Sequence, residues 1–306
     1  MNYKRYNTLS DYYKKKFNNK VSKVPINLGF TCPNKDGSKG YGGCTYCSSL
    51  SSGDFAGNPH DSIKAQFESV RQAVDKKWPN SSYILYFQAG TNTYAPLGVL
   101  KDIFTKALDI FNRIVGISIA TRADALDEEK VAFLASLNKK IPITVELGLQ
   151  NSNEKTSSLI NRCHTNKEFE DAIHLLNKYN LEIVVHIING LPHETKEDML
   201  NTIRYINQFD IQGIKIHSLC LITDSKMGQD YLKNPFKILT LEEYTDIVCD
   251  ELRLLNPNII IHRLSADAKM SNLIEPKWSV RKIVVMNEID KKMRKENYHQ
   301  GDLFQK

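Results

Sequence analysis

Short apolar runs alternate along the chain with stretches whose apolar residues recur at helical spacing. Runs rich in β-branched residues, bounded by Gly, Pro, Asn or charge clusters, predict strands at 24–30 (VPINLGF), 83–88 (YILYFQ), 115–121 (VGISIAT), 143–149 (ITVELGL), 182–189 (EIVVHIIN) and 213–219 (GIKIHSL). Helical periodicity fills the intervals at 61–77, 97–112, 127–139, 166–179 and 195–208. Two starts are marked: Asp127-Glu128-Glu129 puts acid in a first turn, and Thr195 with Asp198 has capping-box spacing, Asp replacing the usual Glu. Strands alternating with helices imply parallel pairing through right-handed crossovers, hence an α/β barrel-like core. A later block, with a helix at 240–255, a strand at 259–265 and a helix at 279–296, reads as an α/β appendage packed on that barrel. The 306 residues thus divide into an N-terminal extension (1–23), a core (24–222) and a C-terminal extension (223–306).

In parallel α/β sheets chemistry gathers at the carboxyl ends of the strands. Cys32 follows the first predicted strand, QAGTNTYAP the second, TRAD the third, Gln150 the fourth, NGLPHET the fifth and SLCLITDSK the sixth. The unusual residues therefore share one mouth.

Composition adds limits. The chain is 41% hydrophobic and 25% charged, as globular proteins are. It has no apolar run near the roughly 18 residues a membrane helix needs, and MNYKRYNTLSDYYKKKF lacks the apolar core of a signal peptide. The expected compartment is the cytoplasm, with no membrane partner and with reduced thiols, so six cysteines read as metal ligands or plain buried thiols rather than disulfides. Within residues 1–23 seven cations (Lys4, Arg5, Lys14, Lys15, Lys16, Lys20, Lys23) face one anion, Asp11, and Tyr3, Tyr6, Tyr12 and Tyr13 interleave them. A second basic run, DKKMRKENYH, lies near the C-terminus. Such patches suit a nucleic-acid backbone, or are simply solvated surface.

Cys32, Cys44 and Cys47 stand at C-x₁₁-C-x₂-C spacing in a loop that holds Gly37, Gly40, Gly42 and Gly43. Thiolates select zinc or iron–sulfur. No second paired unit completes a structural zinc site. A [4Fe–4S] cluster held by three cysteines instead leaves one iron open, and S-adenosylmethionine has an amino and carboxylate pair suited to it. Zinc and plain thiols stay open as alternatives, and with zinc the chain is a non-catalytic nucleic-acid-binding protein.

TCPN…GGCTYC, QAGTNTYAP, TRAD, VELGLQ, INRCHT, HIINGLPHET, KIHSL and IIHRLSADA occur in order from residue 31 to 268, followed by WSVRK at 278–282. Together they resemble the radical S-adenosylmethionine proteins of the YtqA/YhcC type, whose core is similar to the catalytic subunit of Elongator. The resemblance implies a partial (β/α)₆ TIM-like barrel, a [4Fe–4S] cluster on Cys32, Cys44 and Cys47, and S-adenosylmethionine as cosubstrate. Tyr46 matches the position whose backbone meets the adenine. Gln88, Gly90, Thr91 and Asn92 stand where many relatives carry Gly-Gly-Glu for the methionine amino group; without the Glu, polar backbone must serve. Thr121 of TRAD joins the cofactor contacts. Gln150 and Arg162 would hold the ribose hydroxyls and the methionine carboxylate, and Ile188 and Gly190 would pack the adenine. This chain has Cys163 and His193 where the family usually has Gly.

For substrate the resemblance implies a tRNA wobble uridine. In the branch called MnmL, 5-carboxymethylaminomethyl-(2-thio)uridine becomes 5-aminomethyl-(2-thio)uridine; a radical enzyme on another substrate is the alternative. A low-potential electron donor such as flavodoxin or ferredoxin is implied. Glu146 shares a strand face with Gly148 and Gln150 and is expected inside the barrel, in contact with substrate or cofactor or else paired with Arg122. Lys215 and His217 alternate with Ile214 and Ile216 and so point one way, toward an anionic substrate group or along a solvated edge. Arg263 is expected to reach the mouth, and His262 to be a satisfied core histidine. Cys163 reads as a buried, inert thiol, and Cys220 and Cys249 as core residues. Tyr94 reads as a substrate contact or a packing residue.

Overall fold

The computed structural model describes residues 4–51 and 53–305. In chain order the strands are β1 (Val21–Ile26), β2 (Ser82–Phe87), β3 (Ile114–Thr121), β4 (Ile143–Gln150), β5 (Glu182–Asn189), β6 (Gly213–Ser218), β7 (Leu221–Ile222), β8 (Ile260–Arg263) and β9 (Leu273–Glu275). The helices are α1 (Leu9–Phe17), α2 (Ile63–Lys77), α3 (Leu97–Ala107), α4 (Glu128–Asn138), α5 (Glu154–Leu159), α6 (Asn166–Lys178), α7 (Lys196–Ile206), α8 (Lys226–Lys233), α9 (Leu241–Leu254) and α10 (Lys282–Lys295). Seven strands pair in the order β1-β2-β3-β4-β5-β6-β8, every neighbour parallel, and β7 with β9 forms a small antiparallel ribbon. The architecture is α/β, a curled parallel half-barrel.

The curl follows from α1. This nine-residue helix packs against both β1 and β8, the two edges of the sheet. A helix of about 14 Å reaches both only if the sheet bends round to meet it. Just before α1, the Ile261 N–H donates to the Asn7 carbonyl at 2.8 Å, adding a rung to the β8 edge.

Elsewhere the residues explain their elements. All six residues of β2 are buried, as a parallel strand covered on both faces requires. Leu100 and Phe104 of α3 are buried over it, and the Phe104 ring meets Phe87 edge-on at 5.1 Å. Removing such an aromatic costs about 3–5 kcal/mol. Asp127 caps α4, and Thr195 with Asp198 forms a complete capping box on α7. No helix among the described residues is long and apolar enough to cross a membrane.

The differences from the sequence expectations have physical causes. The first strand lies at 21–26, not 24–30: Gly29 has φ +69°, which ends extended pairing, and Pro25 is tolerated because β1 is an edge. The position set as the end of the N-terminal extension, 23, therefore falls inside β1. The strand expected in a separate appendage is β8, the seventh strand of the main sheet, paired to β6. Three helices went unmarked: α1 lies in a charge-rich segment, α5 is one and a half turns long, and α8 carries Gly228 inside it.

Candidate active site

The loop between β1 and α2 carries the three cysteines. Cys44 and Cys47 share one turn, closed by the Cys47 N–H on the Cys44 carbonyl at 3.0 Å. Its flanks are pinned by the Thr45 N–H on the Ile160 carbonyl (2.9 Å) and by the Met227 N–H on the Thr45 carbonyl (2.7 Å). Gly42 and Gly43, at φ +77° and +79°, supply the left-handed backbone that leads into it. Behind it, the Asn34 amide donates to Cys44 Sγ at 3.5 Å. All three cysteines line one cavity of about 310 Å³. A hydrogen bond from Cys47, reinforced by the nearby Arg122 guanidinium, pulls the Cys44 thiol down to about 6 against the opposing effect of burial.

Three soft sulfur donors on one cavity wall, one inclined to ionise and bonded from behind by an amide, fit a [4Fe–4S] cluster with one open iron.

At the strand ends, Tyr46, Gln88, Gly90, Thr91, Thr121, Gln150, Arg162 and Ile188 border the same cavity. Gly90 (φ +72°) is required, since a Cβ there would lie 2.2 Å from the Phe30 carbonyl oxygen. Asn92 and Gly190 are not in the cavity wall. Asn92 is fully buried, and its amide donates to the Phe87 and Ala120 carbonyls (3.0 and 2.8 Å), stapling the end of β2 to that of β3. Gly190 turns the chain after β5 against Leu239.

Arg162 departs most from expectation. All five of its N–H donors are engaged within the protein: Nε on the His164 carbonyl, Nη1 on the Leu149 and Asn151 carbonyls, and Nη2 on Asn166 and Glu154. It is a buried staple, with no N–H left for a ligand carboxylate. The guanidinium facing the thiols is that of Arg122, held by Asp124 at 2.8 and 2.9 Å and donating to the Arg162 carbonyl.

Below the mouth, the strands send polar residues inward. The Glu146 carboxylate accepts from Lys23 (2.6 Å), Ser118 (2.5 Å), His186 (2.7 Å) and Lys215. Burial alone would raise Glu146, but Lys215, Lys23 and His186 outweigh it and hold the carboxyl well below its usual range. Lys215 also donates to the Tyr86 hydroxyl at 2.9 Å, and burial, with Lys23 and Arg263 nearby, brings its ammonium down to about 7 despite Glu146. Desolvation likewise keeps His186 (down to about 4), His217 and His262 neutral. The rings of His186 and His217 lie 5.4 Å apart. Arg263 pairs with Asp267 at 3.1 Å.

Glu146, Gly148, Gln150, Lys215 and His217 thus line one cavity, in keeping with their strand alternation, and Arg263 joins them from β8. Glu146 is not paired with Arg122, whose partner is Asp124. His262 is not satisfied: its Nδ1 is buried without a hydrogen-bond partner. Cys220 is no core residue, because it lines the cavity, whereas Cys249 is fully buried. Cys163 packs behind the cysteine loop against Gly40, and it and His193 adopt φ +59° and +66°, the backbone that makes Gly the usual family choice there. Tyr94 bonds Ser38 at 2.5 Å. Lys23, Tyr86, Ser118 and His186 were missed as site residues. Period-two alternation could have found His186, in phase with Ile188; nothing local marks Lys23, because its partner is 123 positions away.

Comparison with known proteins decides the family. Residues 26–206 match the Radical SAM superfamily, and residues 211–295 the Radical_SAM C-terminal domain. The chain belongs to the Radical SAM superfamily. YtqA of Bacillus subtilis is 42% identical over 99% of this chain and 94% of its own length, and YhcC of Escherichia coli 32% over 90% and 88%. Among solved structures, the archaeal Elp3 of Methanocaldococcus infernus aligns with TM-score 0.69 at 18% identity, covering 92% of this chain and 64% of that one; the likeness is one of fold. This radical SAM protein is accordingly an enzyme of the class that uses a [4Fe–4S] cluster and S-adenosylmethionine.

Proposed function

We propose that this enzyme modifies the wobble uridine of tRNA, converting 5-carboxymethylaminomethyl-(2-thio)uridine to the 5-aminomethyl form. The observation that carries the reading is the joined cavity: thiols at its mouth, and a cationic chamber beneath that suits a carboxylate-bearing base. Distant relatives agree in substrate class. A tRNA uridine(34) acetyltransferase of Dehalococcoides mccartyi is 24% identical over 56% of this chain and 37% of its own length. A tRNA-2-methylthio-N(6)-dimethylallyladenosine synthase of Sulfurihydrogenibium is 33% identical over 29% of the chain and 21% of its own.

In this reading Cys32, Cys44 and Cys47 hold the cluster, and Gln88, Gly90, Thr91, Thr121, Gln150 and Ile188 border the cosubstrate. When bound, the pair supplies a hydrogen-abstracting radical by one-electron cleavage of the sulfonium. The protein positions the base, excludes water and sets local charge. Arg122 offsets negative charge at the thiolates, and Glu146 fixes Lys215 and Lys23 in place. A low-potential flavodoxin or ferredoxin supplies the electron. The exposed Lys14, Lys15 and Lys20 suit tRNA phosphates. Lys4, Lys16 and Lys23 suit them less, being paired with Asp290, Glu182 and Glu146.

Nucleoside mass spectrometry of total tRNA from a deletion strain tests the reading. The carboxymethylaminomethyl form should accumulate at the expense of the aminomethyl form; an unchanged profile removes the proposal.

A further inference from the structure

The cavity at the mouth continues into a second one. A chamber of about 710 Å³ opens beneath α1, between the β1 and β8 edges. The two share Phe55, Tyr86, Gln88, Lys215, Arg263 and Asp267, so Lys215 and Arg263 stand where they meet. The second chamber is lopsided in charge: Lys14, Lys20, Lys23, Lys215 and Arg263 line it against the single carboxylate of Asp267.

The nearby acids do not restore balance. Glu146 is shared by Lys23 and Lys215, and Asp267 by Arg263 and Lys282. Within the two cavities three basic side chains, Lys23, Lys215 and Arg263, share these two carboxylates, so positive charge is in excess when Lys215 is protonated, and no neutral histidine offsets it. Holding like cations together in a partly dry chamber is unfavourable unless a further anion joins them. A second, independent sign is polar: His217 Nε2 and His262 Nδ1 are buried without hydrogen-bond partners, and His217 borders the mouth cavity beside Lys215.

We infer that the junction of the two cavities is an anion subsite, where Lys215 and Arg263 receive a carboxylate- or phosphate-class head group and His217 donates to it from Nε2. Arg263 presents a planar fork to two oxygens, Lys215 a compact charge. Lys23 and Glu146 are positioning residues that fix Lys215 across the chamber. The inference rests on the tRNA reading for the identity of the head group, not for its charge.

The test is anaerobic isothermal titration of the full, cluster-loaded chain with acetate, with inorganic phosphate and with methylamine. At least one anion should bind while methylamine does not. Carboxylate binding alone assigns a carboxylate head group, and phosphate binding alone a phosphoryl one. Arg263→Met and Lys215→Met should each weaken binding at least about tenfold, the loss of one strong contact. Lys101→Ala, an exposed α3 position outside both cavities, should leave anion binding unchanged. Near-UV circular dichroism checks folding; should Lys215→Met fail to fold, Arg263→Met decides alone, since Arg263 is half-exposed. Binding by neither anion, or binding indifferent to Arg263→Met, overturns the subsite. An unchanged tRNA profile with anion binding intact defeats only the tRNA reading, and an altered profile without anion binding defeats only the subsite.

Discussion

The two ends of the joined cavity are built by different means. At the mouth, a loop holds three thiols through main-chain bonds and left-handed glycines, with Asn34 and Asn161 tying it from behind: the Asn161 amide donates to the Gly43 carbonyl at 2.8 Å. In the chamber the cluster around Glu146 is built on strands instead. Lys23, Tyr86, Ser118, Glu146, His186 and Lys215 come one each from β1 to β6, and their positions follow from strand register alone. A loop can gather ligands that lie close in sequence, whereas a parallel sheet gathers residues from across the chain and depends on every strand between them.

That contrast can be broken or sharpened by experiment. The largest effect is expected at the mouth. Replacing Cys32, Cys44 or Cys47 by Ala should abolish the brown chromophore and reduce turnover to background, while Cys163→Ala, behind the loop, should keep both; anaerobic visible spectra with iron and sulfide analysis check this. Next comes Arg162→Met, which should lower stability by about 3–5 kcal/mol in urea unfolding, because it strips a buried, fully bonded guanidinium from three backbone carbonyls and two side chains. If instead stability holds and only S-adenosylmethionine affinity falls, Arg162 is a ligand contact after all.

Third is pH. Lys215 faces Lys23 on β1, Tyr86 on β2, Glu146 on β4, His186 on β5, His217 on its own strand and Arg263 on β8, and its ammonium is brought down to about 7. It is charged below that value and neutral above it. Anion affinity should therefore fall as pH rises through 7, by up to about tenfold per unit, and the slope should vanish in Lys215→Met. The same shift acts oppositely on stability: between about 7 and the ordinary value of 10.5 the unfolded chain binds the extra proton, so this residue's contribution to stability grows with pH. The smallest effect is a control outside both cavity walls: Thr195→Ala removes a capping bond on α7 and should cost about 1 kcal/mol in thermal unfolding, with chromophore and anion binding unchanged.

The same contrast explains what could be read beforehand. Six of the strands, the shared mouth and the cysteine trio were legible, because β-branched runs, punctuation and C-x₂-C spacing are local signals. So was the inward pairing of Lys215 with His217, which needs only alternation within one strand. The partners of Glu146 were not, since Lys23 lies 123 residues away and reaches it only when the sheet curls. The true role of Arg162 was hidden for another reason: a motif position tells nothing of carbonyls such as those of Leu149 and Asn151, which become acceptors only where β4 ends. β8 was assigned to an appendage because a long insertion containing β7, α8 and α9 separates it from β6, although register makes them neighbours.

The clasp made by the first helix bears on how the molecule comes together. Residue 8 bridges residue 261, so this closure spans most of the chain, and it carries a heavy loop-closure cost that the sheet must already offset. Synthesis delivers that helix before any strand of the main sheet, yet its seat on β8 follows the other six strands of that sheet. The chamber floor is therefore sealed only after its walls stand, and the clasp can be released at the two borders without unzipping a single pair of strands.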